Sequence, residues 1–471
     1  MSKRKIFFRA DAGPSIGYGH FIRTLALADM LKDDFECILF TQSPSTYQQR
    51  EAEKVCPVVI LPSDEKKFDE FLEYITGEEI VVLDNYFFSS EYQKQIKDKG
   101  CKLVHIDDVH DRHFYADLII NHGNATPDLY DAEPFTRFCL GPSYALLRKP
   151  FLSPTSNVPR SVGKWVICFG GSDPHNFTEK AVQALSLRSD VSQITAIVGD
   201  LYHYKNVLSE YRNVTVLSSL SADEMAAQYK SSEYVLCSAS SVCYEALACG
   251  CHVFAGYYVD NQVEFYEGLS NNKLISPLGD LMEADFNKCL SYPIDPINPI
   301  NKMNIHDASC NLIYAFKALD LRVVNYIDMT LDESRRVWEV RNLPEIRKCM
   351  TQPDPFPFES HLSFVKSLVN NKTKLYYAIF LNDELVGSYD FIDIKDGVSA
   401  EHGLYINPIF HKKGYGKIIE SLMDNYIKVR GVRRLLAEVL KTNPASYQYH
   451  LKVGYNVYNE DDKYYYLERY I

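Results

Sequence analysis

Over its first 320 or so residues the chain alternates short apolar runs with stretches long enough for a helix. The runs are KIFFRA, ECILF, EIVVLD, KLVHID and DLIIN, then KWVICF, QITAIVG, NVTVLS, YVLCS and CHVFAG. Apolar runs without polar alternation belong to strands buried on both faces, and strands separated by helices pair in parallel. This rhythm commits the region to an α/β fold. A Pro- and Ser-containing stretch at 148–163 (RKPFLSPTSNVPRSVG) interrupts it, and a second strand series starts directly afterwards. Two Rossmann-type domains follow, residues 1–150 and 163–320, with ligand sites expected where the loops after the strands converge.

A punctuated segment, PIDPINPINKMN, precedes a helix to about 320, and the pattern then changes. A strand is expected at 322–329 and helices around 332–370. Strands LYYAIFL, LVGSYDFI and SAEHGLYI follow in succession, then a helix after Gly416 and a strand RRLLAEVL. Successive strands of this kind read as antiparallel, which makes residues 322–471 a separate α+β domain.

The length of 471 residues fits about three domains at roughly 150 residues each. Apolar residues at 46% and charged residues at 24% describe a folded globular chain. Fifty Lys and Arg against 62 Asp and Glu give a net charge of −12, which disfavours whole-molecule attraction to nucleic acid or anionic lipid. The opening MSKRKIFFRADAG lacks an apolar signal region and no later run has the length of a membrane span, so a cytoplasmic location is expected. The 12 cysteines include no CxxC pair and lie mostly in apolar runs, as buried free thiols do.

The first strand runs into GPSIGYGHFIRTLALADML, where Gly13, Gly17 and Gly19 permit tight turns just before an amphipathic helix. His20 stands at that helix N-terminus, where the dipole disfavours the imidazolium and leaves a neutral ring able to take a proton from water. In the second half, GGSDPHNFTEKAVQAL places Gly170, Gly171 and Ser172 in a strand-to-helix loop whose N–H groups can receive a diphosphate. Ser240 and Ser241 open the helix of SASSVCYEAL, with Glu245 one turn in, where it can accept ribose hydroxyls or simply face solvent. Asn261 and Gln262 follow the next strand on the same rim. The cluster His105, Asp107, Asp108, His110, Asp111 and His113 has metal-ligand chemistry, but neighbours on a strand alternate in direction, and no metal is expected.

Seven motifs, RADAGPSIGYGH, VLDNY, HIDDVHDRHFYADLIIN, GPSYALLR, ICFGGSDPHN, SASSVCYEAL and YVDNQ, occur here in order. In these the chain resembles the hydrolases of pseudaminic acid biosynthesis that cleave UDP from UDP-2,4-diacetamido-2,4,6-trideoxy-β-L-altropyranose, a family similar to GT-B glycosyltransferases. The resemblance implies a GT-B-like pair of domains and metal-free hydrolysis with inversion at C1. His20 would orient or deprotonate the attacking water, and Tyr86 and Asn261 would line the sugar pocket. Glu245 would hold the uridine ribose, while the GGSD loop and Ser240–Ser241 would bind the diphosphate.

In the last domain HGLYINP is followed by IFHKKGYGKIIESLMDNY, a short glycine loop opening an amphipathic helix. Successive N–H groups of Lys413 to Lys417 can cradle a pyrophosphate, with Gly414 and Gly416 allowing its close approach. This resembles the acetyl-CoA loop of the GNAT acyltransferases, with His411 where the family has Gln or Arg. Ile406 and Asn443 fall at further cofactor positions of the family. A tyrosine four residues before Gly454 commonly protonates the departing thiolate there, and this chain has His450 at that place and Tyr449 beside it. His450 is therefore expected to matter more than Tyr449. WEVRNLPEIRKCM and FESHLSFV resemble, more narrowly, the GNAT that acetylates the 4-amino group of the same UDP-sugar. By that likeness Arg341, Met350 and His361 hold the nucleotide; taken singly, Arg341 and His361 would also suit solvated helix faces. No residue stands out as the base for acetyl transfer; Glu401 and His402 near the strand end are weak candidates, acting through water.

These readings imply a bifunctional enzyme using acetyl-CoA as cosubstrate: N4-acetylation of UDP-4-amino-4,6-dideoxy-N-acetyl-β-L-altrosamine, then hydrolysis of the product. The alternative is a GT-B glycosyltransferase fused to an acetyltransferase for another amino sugar.

Overall fold

The computed structural model describes residues 3–11, 19–153, 159–170, 173–199, 202–208, 210–290 and 304–471. Gly17, Gly171 and Ser172 lie outside these. The chain divides into two compact units, Met1–Ile313 and Tyr314–Ile471.

The first unit holds two parallel sheets. The first is built from β1 (Lys5–Arg9), β2 (Glu36–Gln42), β3 (Val58–Leu61), β4 (Ile80–Leu83), β5 (Lys102–Ile106), β7 (Leu118–Asn121) and β9 (Arg137–Leu140). Its strand order is β3-β2-β1-β4-β5-β7-β9, and β6 (His113–Phe114) pairs with β8 (Asp131–Ala132) as a separate ribbon. The order places β1 and β4 side by side, so the loops that follow them start from one edge of the sheet.

The second sheet, β12-β11-β10-β13-β14-β15, comprises β10 (Ser161–Cys168), β11 (Gln193–Val198), β12 (Val214–Ser218), β13 (Ser232–Ser238), β14 (His252–Tyr257) and β15 (Ser276–Asp280). Its unbroken apolar runs have a direct cause. Val166, Cys168, Val235 and Val253 feed one core, while Trp165, Ile167, Leu236 and Phe254 feed another across the sheet. Alternate side chains point to opposite faces, and helices cover both.

The second unit is one seven-stranded sheet, β16-β17-β18-β19-β20-β22-β21. Its strands are β16 (Leu321–Asn325), β17 (Leu375–Leu381), β18 (Glu384–Lys395), β19 (Ser399–Ile406), β20 (Arg434–Leu440), β21 (Asn456–Glu460) and β22 (Tyr464–Tyr470). All neighbours are antiparallel except β19 and β20. The sequence reading had all of them antiparallel; the helix Tyr415–Lys428 is the crossover that makes this pair parallel. Pairing of β19 with β20 stops at Glu401 and Leu436, although both strands continue for several residues, so they splay into a wedge. One face of the sheet packs against Ile418, Ile419, Leu422 and Met423 of that helix. The other packs against Val337 and Leu368, from the helices Leu331–Arg341 and Phe358–Leu368.

Candidate active sites

In the first unit, helix Gly19–Leu31 begins immediately before His20, which is 6% exposed. The ring Nδ1 lies 2.7 Å from Asp84 Oδ1, at the end of β4. Asp84 is fully buried and also accepts from Arg23 Nε (2.8 Å), Arg23 Nη2 (2.6 Å) and Thr24 Oγ1 (2.8 Å). Burial opposes its ionisation, but Arg23 and the bond from His20 outweigh that and hold the carboxyl well below the usual range. Arg23 in turn reaches Asp108 at 2.8 Å, and the two carboxylates keep it charged against the cost of burial. The Asp84 carboxylate lies nearer to Nδ1 than Arg23 Nη2 does (3.1 Å), and so favours the tautomer with the proton on Nδ1 and the lone pair on Nε2. The sequence reading found His20 from its helix position but not Asp84 as its partner.

The two loops are tied together one residue further on. Asp11 N–H donates to Asn85 Oδ1 at 2.7 Å and the Asn85 amide returns a bond to the Asp11 carbonyl at 3.3 Å. Arg9 grips the Asp11 carboxylate through both terminal nitrogens.

His20, Tyr86, Ser240, Ser241, Asn261 and Gln262 line one cavity of about 250 Å³. The Tyr86 ring stands edge-on to His20, centroids 4.6 Å apart, and its hydroxyl accepts from Asn261 Nδ2 at 3.3 Å. Gln262 Oε1 accepts from Tyr258 N–H, which pins that rim. Ser240 is the N-cap residue of helix Ser241–Ala248 without a side-chain cap bond. The N–H groups of Ser241 and Val242 have no acceptor among the described residues. By contrast, the helix Phe177–Ser186, which follows the GGSD loop, has Phe177 N–H and Thr178 N–H bound to the Asp173 carboxylate at 2.9 and 2.8 Å. Gly170 takes φ +89°, and a side chain would be strained there. Glu245 is buried, and its Oε1 accepts from Arg148 Nη2 at 2.8 Å. The His and Asp side chains of 105–113 are engaged separately: Asp107 caps Val109 and His110 N–H, Asp108 pairs with Arg23, and His113 faces Asp131 and Glu133.

In the second unit, His411 donates from Nε2 to the Ile406 carbonyl at 2.8 Å, which closes the turn leading to the glycine loop. Lys412 and Gly414 then take φ +60° and +86°. Lys413 N–H points back to Phe410 O and Lys417 N–H to Gly414 O, while the N–H groups of Gly414, Tyr415 and Gly416 have no acceptor among the described residues. The open donors are therefore the middle three of the five expected. A Cβ on Gly416 would come within 2.9 Å of the Tyr449 ring, whose hydroxyl donates toward the Gly416 carbonyl (3.0 Å) and Glu420 (3.1 Å). Asn443 Oδ1 caps the helix Pro444–Lys452 at Ser446 N–H, 3.1 Å away.

His450 is 7% exposed and turned inward. Its Nδ1 donates to Ser446 O at 2.8 Å, so Nε2 accepts from His402 Nε2 at 3.2 Å. Burial lowers the pKa of both rings. His402 is engaged by His450 in the interior, and Tyr449 rather than His450 is the side chain that reaches the glycine loop.

Arg341 and His361 do not sit on solvated faces. Arg341 Nη1 and His361 Nε2 are buried without a partner among the described residues. Burial pushes His361 down to about 4. Met350 is half-buried after the short helix Pro344–Arg347. Within electrostatic reach of Arg341 stands a group the sequence reading missed. Asp390 on β18 lies against Gly403, where a Cβ would fall 2.8 Å from a carboxylate oxygen. Burial and the charge of Glu401 raise Asp390 to about 7 against the pull of Arg341. Burial and Glu438 raise Glu401 to about 7 as well.

A paired Rossmann-like unit with a His–carboxylate centre, followed by a splayed mixed sheet with an open glycine loop, defines a nucleotide-sugar hydrolase-like region fused to an acyl-CoA-type transferase. Residues 340–455 match the Acetyltransferase (GNAT) family. Acetyltransferase PseH of Campylobacter jejuni is 30% identical over 31% of this chain and 92% of its own length, and through this unit the chain belongs to that acetyltransferase family. The UDP-2,4-diacetamido-2,4,6-trideoxy-beta-L-altropyranose hydrolase of Campylobacter jejuni is 27% identical over 55% of this chain and 93% of its own length. An uncharacterised protein of Methanocaldococcus jannaschii matches both regions together, 25% identical over 96% of each chain. The chain is a bifunctional enzyme joining a UDP-sugar-hydrolase-like region to a GNAT acetyltransferase. Among the described residues, no helix is long and apolar enough to cross a membrane.

Proposed function

We propose that the protein catalyses consecutive steps on one UDP-linked amino sugar. The second unit transfers an acetyl group from acetyl-CoA to the 4-amino group of UDP-4-amino-4,6-dideoxy-N-acetyl-β-L-altrosamine. The first unit hydrolyses the product, UDP-2,4-diacetamido-2,4,6-trideoxy-β-L-altropyranose, to the free sugar and UDP with inversion at C1. The observation that carries the reading is the ionised Asp84 on His20 Nδ1 at the wall of a cavity that Ser240 and Ser241, at a helix end with open N–H groups, also line.

In this reading His20 Nε2 takes a proton from water as the water oxygen attacks C1 from the face away from UDP. The C1–O bond breaks with its electron pair on the diphosphate, which the Ser240–Ser241 helix end stabilises. Tyr86 and Asn261 orient the sugar, and Glu245 serves the nucleoside from behind Arg148. In the second unit Gly414, Tyr415 and Gly416 offer donors for the pyrophosphate of acetyl-CoA. The free edges of β19 and β20 suit its amide-bearing arm. Asp390, half-charged near neutrality, accepts the proton of the 4-ammonium group, and Tyr449 supplies one to the thiolate.

The test is mass spectrometry of the products formed in ¹⁸O water from acetyl-CoA and the 4-amino UDP-sugar. Expected are CoA, UDP and a diacetamido sugar carrying one ¹⁸O at C1. UDP release that depends on an acceptor other than water would replace hydrolysis with glycosyl transfer.

A further inference from the structure

His122, the first residue after β7, lines the same cavity as His20 and has no part in the reading above. Its Nδ1 accepts the backbone N–H of Leu146 at 3.2 Å. A ring nitrogen that accepts is unprotonated, so the neutral ring carries its proton on Nε2. Burial pushes the ring down to about 4, a balance that includes Arg23 lowering it and Asp108 and Asp84 raising it, so it is neutral at pH 7. Nε2 has no acceptor among the described residues.

The ring is packed by an aromatic neighbour. Tyr244 stands edge-on to it, centroids 5.5 Å apart, and donates its hydroxyl to the His122 carbonyl at 2.6 Å. Tyr244 belongs to the first turn of helix Ser241–Ala248. Two residues on, Asn124 lies so close to helix Val263–Asn271 that a Cβ on Gly268 would fall 2.4 Å from Asn124 Cβ. His122 thereby lies against the first turn of the helix whose leading N–H groups are open, in the cavity that His20 also lines. The two histidines are opposites: His20 donates from Nδ1 and offers a lone pair, whereas His122 accepts at Nδ1 and offers a proton.

We infer that His122 is a fixed neutral donor whose Nε2–H hydrogen-bonds the diphosphate oxygen that gains charge as the sugar leaves. The inference rests on the hydrolase reading of this cavity. No proton is transferred; the bond strengthens as negative charge builds on the leaving oxygen and costs no reorganisation because the ring is already aimed.

His122→Phe keeps the ring and removes the donor, while His122→Gln places an amide N–H near the Nε2 position. In the full chain His122→Phe is expected to lower kcat for UDP release roughly 10²-fold, with acetyl transfer unchanged, and His122→Gln to recover part of the loss. A wild-type rate in the Phe variant, or equal loss in both variants, overturns the inference. Should the Phe variant fail to fold, ¹⁵N-histidine NMR of the wild-type chain decides with UDP as probe. The Nε2–H tautomer at pH 7 and a shift of its signals on adding UDP are expected; the opposite tautomer, or no response to UDP, overturns it. A wild-type chain that releases no UDP from the UDP-sugar but shows this response would instead overturn hydrolysis.

Discussion

His20 Nδ1 and Asp84 Oδ1 lie 2.7 Å apart, though 64 residues separate them in sequence. The contact exists because β1 and β4 are neighbours, so the helix after one meets the loop after the other. The helix end sets where the ring stands, but the carboxylate determines which nitrogen keeps the proton. Asp84→Asn can present an N–H to the ring and invert the tautomer. UDP release is expected to fall roughly 10³- to 10⁴-fold, as when a histidine loses its orienting carboxylate. UDP affinity, measured by calorimetry, is expected to change little, and retained kcat would remove Asp84 from the mechanism.

For the thiolate acid the geometry favours Tyr449 over the residue expected from the sequence. His450 has the family's place in the helix, but its two nitrogens are engaged in the interior by Ser446 and His402. The Tyr449 hydroxyl lies 3.0 Å from the Gly416 carbonyl in the glycine loop. Tyr449→Phe is expected to lower kcat for acetyl transfer about 10²-fold with the melting temperature nearly unchanged. His450→Phe is expected to act mainly on the melting temperature. Steady-state kinetics beside thermal denaturation checks the ranking.

The pH dependence of acetyl transfer follows from Asp390. A base must be deprotonated, and burial with Glu401 raises this carboxyl to about 7. The rate is therefore expected to climb from pH 6 to 8 and level off above. Glu401 titrates in the same range, so the profile reports the pair. Asp390→Asn should flatten the rise and lower the plateau, whereas Glu401→Gln should shift the midpoint downward by removing a repulsive charge.

Much of this was legible in the chain. Strand-to-helix loops place chemistry where sheets end, and from them the sequence drew His20, Ser240, Ser241 and Asn261, while the family resemblance added Tyr86; these five line one cavity. What escaped depends on strand order and on weak edges. Asp84 could not be joined to His20 without the β1–β4 pairing. The edge strands β3, β9 and β15 passed unread because they are short or partly exposed, and β15 contains Pro277 and Gly279. Asp390 was read as part of an apolar strand, and only the pairing of β18 with β19 shows it set over Gly403.

That last relationship yields a substitution whose outcome separates position from charge. Gly403 has an ordinary extended backbone, so alanine costs the strand no conformational strain, yet its Cβ would stand 2.8 and 3.0 Å from the Asp390 carboxylate oxygens. Those distances are too short to keep, and the carboxylate, at the free end of its side chain, is the group that moves. A displacement of about 1 Å at a reacting group can cost up to roughly 10²-fold in rate. Gly403→Ala is therefore expected to lower kcat for acetyl transfer between about tenfold and 10²-fold, with KM for acetyl-CoA and the melting temperature close to wild type. Because the carboxyl is retained, the rise in rate near pH 7 should persist at the lower plateau, unlike in Asp390→Asn. Full activity in Gly403→Ala across pH 6 to 8 would place the proton acceptor elsewhere on the sheet, with Glu401 next in line.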